Sequence, residues 1–170
     1  MVLPQAKEDL TEARLAHLTL PGGAVWAKKA REEALARFRA MGLPGPRDEY
    51  WRFTRPDTLN AAAAPEAALF EGDENPAFGD LDRLSLVFRD GVFDADASDA
   101  LALEGVEVMR LAEAVEQDIH WAKDLYGVLE ARGQTPVARP FAALNTAFAS
   151  DGVVLRVTGK PSKPIHLRYL

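Results

Sequence analysis

Three aspartates in one short stretch come closest to the spacing of a chemical site. Asp94, Asp96 and Asp99 alternate with small residues, and clustered carboxylates of this kind can bind a divalent cation. The EF-hand calcium loop, however, requires glycine where Asp99 stands and glutamate where Gly105 stands. We therefore expect a polar turn, and keep a metal-dependent hydrolase built on these aspartates as an alternative hypothesis.

A phosphate-binding loop is the second chemical signature to test. Gly159-Lys160 supplies the last glycine and the lysine of such a loop. Val154 stands where the earlier glycine is needed, and Pro161 stands where serine or threonine must follow the lysine. The pattern therefore does not predict a nucleotide site.

The histidines and the absence of cysteine narrow the chemistry further. His17, His120 and His166 lie far apart and lack HExxH spacing, so we expect surface or packing residues rather than metal ligands. Without cysteine the chain cannot form disulfides, zinc–thiolate sites or thiolate ligands for an iron–sulfur cluster, and it has no Gly-x-Ser-x-Gly elbow. We predict no catalytic, cofactor-binding or metal-binding residue in this chain, and no enzyme activity.

Composition indicates a soluble protein with an uneven charge distribution. The 170 residues are 48% hydrophobic and 27% charged, which is typical of a globular domain. Residues 56–125 contain 17 acidic and 4 basic side chains, so they would repel nucleic acid, and we interpret them as a solvated acidic face. No apolar run approaches the roughly 20 residues of a membrane span, and the acidic start is unlike a signal peptide. We expect a cytoplasmic protein with neither a nucleic-acid nor a membrane partner.

Helices are predicted for the first part of the chain. A short helix is expected over residues 5–18, with Leu10, Ala13 and Leu18 on its apolar side. A clearer one covers residues 24–41, where an apolar stripe recurs at helical spacing. This stripe consists of Trp26, Ala30, Ala34, Phe38 and Met41, with Leu35 beside it. Gly42 is in position to end the helix, and Pro44 prevents its continuation.

The segment from Gly42 to Thr54 combines turn formers, charges and aromatic residues. Leu43 follows the helix end, and Trp51 would bury a large apolar area. Arg47 and Glu49 or Arg52 could pair across the segment, although exposed pairs contribute little. We favour a structural clamp over a binding site here.

The middle of the chain is predicted to switch to strands. Residues 60–82 have few large apolar groups and many helix breakers, so we expect a variable connection. Strands at 84–88 and 92–93 flank a turn and indicate a hairpin, and 106–109 is a further strand. A helix is expected to start at residues 111–115. Another carries Ala122, Leu125, Tyr126 and Leu129, with Gly133 as its cap.

The last 31 residues combine a helix with two strands. Pro140 suits a first helical turn, and an apolar face of Phe141, Leu144 and Phe148 follows. We expect Asp151-Gly152 to end this helix and strands to follow at 153–157 and 165–169. Two strands are only marginally stable in water, so the pattern predicts a domain followed by the start of a larger β-structure.

Three segments together resemble one protein family. They are residues 42–54, residues 86–93, and residues 140–148 with Asp151-Gly152. In this order they are similar to the N-terminal part of the SufD proteins, which belong to the SufB/SufD family of iron–sulfur cluster assembly proteins. The third segment is the most specific, and residues 60–82 show no resemblance.

The resemblance implies an α+β fold. Residues 1–150 would form a mostly helical domain with a small β-hairpin or sheet, and this domain would lead into a right-handed parallel β-helix. Residues 151–170 would hold its first strands, since one rung cannot bury its faces alone. The implied function is that of a non-catalytic scaffold, with a SufB-like paralogue and a SufC-like ABC ATPase as partners. An iron–sulfur cluster is implied only for the assembled complex.

No functional residue of the family can be transferred to this chain, so the motif positions receive structural roles. We expect a capping role for Asn145 and a packing role for Trp51. We expect Arg47 to hold its segment in place. A second interpretation does not depend on this resemblance. In it the chain is a free-standing α+β interaction module whose acidic face docks a basic partner.

Overall fold

The chain divides into two compact units that both draw on distant parts of the sequence. The computed structural model describes residues 3–63 and 78–170, so most of the predicted connection at 60–82 lies outside the described residues. In the described part, the first unit contains residues 3–63 and 115–149, and the second contains 78–114 and 150–170. The sequence analysis placed a domain boundary after residue 150, and its first domain, residues 1–150, contains the strands between residues 84 and 110 as well as the helices. In the structure these strands belong to the second unit. The α+β class is confirmed.

Two helices open the first unit. Helix α1 spans Gln5–Leu15 and α2 spans Val25–Met41, close to the predicted ranges. Helix α2 ends at Gly42, which has φ of +64° and donates its N–H to the Phe38 carbonyl at 2.7 Å. Within residues 3–63 and 78–170, no helix combines the length and apolar character needed to cross a bilayer.

The buried faces of α1 and α2 differ from the predicted ones. In α1, Thr11 and Leu15 are buried, while Leu10 is exposed. In α2, Ala34 and Phe38 are buried as predicted, but the face also includes Arg31, a charged residue that the apolar stripe omitted. Arg31 is buried because its guanidinium finds backbone acceptors, as described below.

Helix α5 completes the core of the first unit. It spans Pro140–Phe148, with the proline in its first turn as predicted. Ala143 and Leu144 of α5 are buried with Leu15, Phe38 and Leu43 in one apolar cluster. The core of this unit therefore lies between α1, α2 and α5.

The prediction of one continuous helix around residues 122–129 is wrong. A 3₁₀ turn spans Trp121–Asp124, and α4 spans Val128–Arg132. Gly127, with φ of +75°, separates them because a left-handed residue interrupts helical hydrogen bonding. Gly133 follows α4 as predicted, in a right-handed conformation.

The second unit contains a three-stranded sheet. Strands β1 (Leu84–Arg89) and β2 (Val92–Asp94) form the predicted antiparallel hairpin. Strand β5 (Ile165–Tyr169) pairs with β1 in parallel over five consecutive residue pairs. The order in the sheet is β2-β1-β5, so β5 lies at an edge.

A separate two-stranded sheet completes the second unit. Strands β3 (Val106–Arg110) and β4 (Val153–Val157) pair antiparallel, and the short helix α3 (Leu111–Ala114) follows β3. The two C-terminal strands therefore join different sheets. An apolar cluster centred on Leu84, Leu86 and Phe88 forms the core of this unit.

The end of α5 differs from the prediction. The helix stops at Phe148, and Ala149 has φ of −56° and ψ of 116°, so the chain leaves the helix in an extended conformation. Asp151 and Gly152 lie beyond this point and do not form the cap. Their side-chain and backbone groups are used in the second unit instead.

Candidate functional site

The segment after α2 is anchored through its first residues. Gly42 has a positive φ, which favours glycine, and a Cβ there would lie close to side chains, at 3.0 Å from Leu3 Cδ1 and 3.1 Å from Thr11 Oγ1. Leu43 is 1% exposed. Its N–H donates to Thr11 Oγ1 at 2.9 Å, and the threonine hydroxyl donates to the Lys7 carbonyl at 2.7 Å. These contacts attach the segment to α1.

Asp48 and Asn60 fasten the next part of the segment. The Asp48 carboxylate accepts hydrogen bonds from Lys7 Nζ at 3.1 Å and from the Gly45 N–H at 2.8 Å. Burial alone would raise the pKa of Asp48, but the bonds from Gly45 and Lys7 hold it below its ordinary value. Asn60 Nδ2 donates to the Pro44 carbonyl at 2.7 Å. Sequence reasoning did not select Asp48 or Asn60.

Trp51 lies at the end of a 3₁₀ turn, Glu49–Trp51. Its ring packs edge-to-face against Phe141 with 5.3 Å between ring centroids. Its Nε1 is buried and has no hydrogen-bond acceptor among the described residues. Arg47 and Glu49, which the sequence suggested as a pair, are both exposed.

A cleft of about 520 Å³ opens beside Trp51 in the first unit. It is open to solvent, and all three residues of the 3₁₀ turn line it. We refer to it as the Trp51 cleft. Its aromatic, prolyl and acidic lining residues are Pro44, Asp48, Glu49, Tyr50, Trp51, Pro136 and Pro140.

Arg31 is a buried cation that the sequence analysis did not identify. It is 1% exposed, and Nη1 donates to the carbonyls of Ala147 at 3.2 Å and Ala149 at 2.7 Å. Its guanidinium carbon lies 5.8 Å from the centre of the Tyr126 ring. Carbonyls at a helix C-terminus have no partner within the helix and carry partial negative charge. Arg31 therefore supplies the C-terminal cap of α5.

Two polar residues border the end of α5 in different ways. The Tyr126 hydroxyl donates to the Thr146 carbonyl at 2.6 Å, and burial raises the pKa of this phenol. Asn145, the predicted cap, has an exposed side chain, and its carbonyl accepts the N–H of Ala149 at 2.8 Å. This is the ordinary backbone bond of a helix, which any residue at this position would accept, and it gives the Asn145 side chain no capping role.

Asp151 is the most heavily hydrogen-bonded carboxylate among the described residues. Its side chain is 4% exposed and forms an ion pair with the Arg110 guanidinium. It also accepts from the backbone N–H groups of Gly152 at 2.9 Å and Phe93 at 3.3 Å, and it lies 3.5 Å from the N–H of Ala112. Burial would raise the pKa of Asp151, but the bonds from Arg110, Gly152 and Phe93 hold it below its usual value. We refer to these groups as the Asp151 network.

The aspartates of residues 94–99 close a turn. Asp94 Oδ2 accepts from Arg89 Nε at 2.6 Å, and Asp94 Oδ1 accepts from the Ala97 N–H at 3.0 Å. Asp99 Oδ2 accepts from the Ser85 N–H at 2.7 Å. Asp96 is exposed. Two of the three carboxylates are therefore engaged with protein donors.

The three histidines do not come together. His17 is exposed, whereas His120 is buried and its Nδ1 accepts the Ala122 N–H at 3.0 Å. His166 Nδ1 is buried without a hydrogen-bond partner in the described part of the chain. Across residues 3–63 and 78–170, no group of three or more histidine and acidic side chains is arranged to hold a metal ion.

Neither the known protein-family models nor the sequences of curated proteins match this chain. Two features of the described residues remain as candidates for function. The Asp151 network satisfies its own carboxylate, which suits a structural role. The Trp51 cleft is solvent-accessible, and one of its lining residues, Trp51, has an indole N–H that is buried without an acceptor among the described residues, which suits the binding of another molecule.

Proposed function

We propose that this protein is a non-catalytic scaffold subunit of a Suf-type iron–sulfur cluster assembly complex. It would act in the cytoplasm with a SufB-like paralogue and a SufC-like ABC ATPase. The observation that carries the proposal is the ordered resemblance of residues 42–54, 86–93 and 140–152 to the N-terminal part of SufD proteins. The cluster itself would be cargo of the assembled complex, because this chain offers no thiolate ligand.

The pairing of the C-terminal strands supports the architectural part of this proposal. Strand β5 lies parallel to β1 in continuous register, as strands of successive rungs do in a parallel β-helix. Within the described residues β5 has β1 as its one neighbour and β4 has β3, so each retains an unpaired edge. Stacked-rung folds continue by adding strands at such edges. We propose that β5 belongs to the first rungs of a right-handed β-helix.

The antiparallel pairs require a more specific version of the proposal. The β1–β2 and β3–β4 pairs do not have the parallel arrangement of stacked rungs. We assign them to the end cap of the β-helix, where a hairpin can protect the terminal rung from edge-to-edge association.

Affinity co-purification of the complete reading frame tests this function. In the family, the ATPase is contacted through the C-terminal domain and SufB through the β-helix, so the tagged protein should include any residues that the reading frame encodes after position 170. We expect a SufC-like ATPase and a SufB-like protein to co-purify in defined stoichiometry. Recovery of neither under low-salt, detergent-free conditions would count against the proposal.

The acidic middle of the chain supports a second candidate function. Residues 56–125 carry a net charge of −13, which would favour docking of a basic protein on a free-standing α+β module. This function predicts that residues 1–170 form a stable monomer. It also predicts that binding weakens steeply with added salt, because exposed charges are screened.

A further inference from the structure

The Trp51 cleft has the size and wall composition of a recognition groove. Its volume of about 520 Å³ lies within the range of small-ligand pockets. Tyr50 and Trp51 provide aromatic surface, and Tyr50 is 65% exposed. Pro44, Pro136 and Pro140 form much of the remaining wall. Aromatic and prolyl side chains have few rotatable bonds, so they lose little entropy when a ligand packs on them.

Trp51, which lines the cleft, carries a hydrogen-bond donor without a partner among the described residues. Trp51 Nε1 is a donor that is buried without an acceptor in the described part of the protein, and such a donor costs free energy until it is paired. Proline-containing peptides in the polyproline II conformation present carbonyl acceptors and few N–H groups, and they dock in aromatic-lined grooves.

The charges of the cleft favour a basic ligand. Lys7, which lines the cleft, is neutralised by Asp48 at 3.1 Å. Glu49 also lines it, and its exposed carboxylate has no cationic partner among the described residues. The lining therefore retains one uncompensated negative charge, which attracts a basic side chain and repels an acidic one.

We propose that the Trp51 cleft binds a proline-containing peptide segment of a partner protein, with a basic residue of that segment next to Glu49. A carbonyl of the peptide accepts the Trp51 indole N–H as the ring turns towards the cleft. Tyr50 packs on the prolines of the peptide. This inference does not depend on the proposed role in cluster assembly.

Titration of the ¹⁵N-labelled chain with synthetic peptides tests the proposal. The first set of probes consists of ten-residue Pro-x-x-Pro peptides that carry a single arginine, at the N-terminus in one peptide and at the C-terminus in the other. The matched second set has glutamate in place of that arginine. The arginine peptides should shift the indole N–H resonance of Trp51. The indole of Trp26, which donates to the Gln117 carbonyl at 2.7 Å, is the internal reference and should not move. By fluorescence anisotropy, the glutamate peptides should bind about fivefold more weakly.

Three substitutions separate the contributions of the cleft. Tyr50→Ala should weaken binding about tenfold or more, because it removes an exposed aromatic anchor. Glu49→Gln should remove the preference for arginine over glutamate peptides. Trp51→Phe keeps a ring against Phe141 but lacks the N–H, and should weaken binding without unfolding the protein.

Matched controls lie outside the cleft. Phe53→Ala removes an aromatic side chain that is 92% exposed, and Glu32→Gln neutralises an exposed acid of α2. Both should bind the arginine peptides like the unmodified chain, and circular dichroism should show that all five variants are folded. The proposal is overturned if no peptide shifts the Trp51 resonance at millimolar concentration, if arginine and glutamate peptides bind equally, or if Phe53→Ala weakens binding as much as Tyr50→Ala.

Discussion

The two units bury a charged side chain by opposite means. In the first unit, Arg31 is stabilised by hydrogen bonds to carbonyls at the end of α5, and it has no carboxylate partner among the described residues. In the second unit, Asp151 is paired with a guanidinium and also accepts hydrogen bonds from backbone N–H groups. One charge thus relies on the polarity of a helix terminus, whereas the other relies on an ion pair.

This difference determines what remains when either charge is removed. Loss of Asp151 leaves Arg110 without its counter-ion and leaves the backbone donors unpaired. Loss of Arg31 leaves neutral carbonyls, and it also removes a cation whose burial was costly. Breaking a buried ion pair on one side is generally more destabilising than losing a hydrogen bond to a neutral group. The Asp151 network should therefore be the more sensitive of the two.

Replacement of Asp151 by alanine should have the largest effect. We expect Asp151→Ala to lower the free energy of unfolding by about 3 kcal/mol, because it leaves the partly exposed Arg110 guanidinium and several backbone N–H groups without their acceptor at once. Urea denaturation followed by circular dichroism measures this loss. The control Asp96→Ala removes an exposed carboxylate and should change stability by less than about 0.5 kcal/mol. Equal effects of the two substitutions would contradict a role for the network.

Replacement of Arg31 by methionine should have a smaller effect. We expect Arg31→Met to cost about 2 kcal/mol, because two carbonyls lose their donor while the side-chain volume is retained. The same denaturation assay applies, with Arg39→Met as the control, since Arg39 is exposed and pairs with Glu12 on the surface. A loss greater than that of Asp151→Ala would reverse the proposed order.

Removal of the Tyr126 hydroxyl allows the energetic coupling between Tyr126 and Arg31 to be measured. We expect Tyr126→Phe to cost about 1 kcal/mol, because it removes the hydrogen bond to Thr146 and keeps the ring near the guanidinium. Tyr50→Phe, at an exposed position, is the matched control. In the double variant with Arg31→Met, a non-additive loss measured by the same unfolding experiment would show that the two groups act together.

The smallest expected effect is a difference in the pH dependence of stability, which should distinguish Asp151 from Arg31. The pKa of Asp151 is lowered in the folded protein, so its contribution is complete above the unfolded value near 3.8 and is lost as pH falls through the folded pKa. Unfolding at pH 7, 5, 4 and 3 should therefore show the difference between the native chain and Asp151→Ala narrowing below about pH 4. The difference between the native chain and Arg31→Met should stay constant over this range. A parallel narrowing in both variants would contradict the distinction.

Local sequence patterns predicted most of the elements. Helices α1, α2 and α5, the β1–β2 hairpin and β3 follow from apolar spacing, turn residues and helix-ending glycine, because each depends on contacts between near neighbours in the chain. The helix around residues 122–129 was wrong because the left-handed Gly127 interrupts it, and the apolar pattern contains no signal for that conformation. The Trp51 cleft was partly predictable. The aromatic residues of 42–54 were noted, but the prolines near residue 140 that complete its wall could not be connected to them.

The sequence by itself determined the α+β class, the positions of the main helices and strands, and a resemblance to SufD proteins that remains a prediction. Only the tertiary structure decided that β5 lies parallel to β1 and that Arg31 is buried. It also decided that Asp151 binds Arg110 instead of capping α5. The physical reason is the range of the interactions. Periodicity and turn chemistry act over a few residues, whereas strand pairing and the neutralisation of buried charge require partners that lie distant in the sequence and meet only in the folded chain.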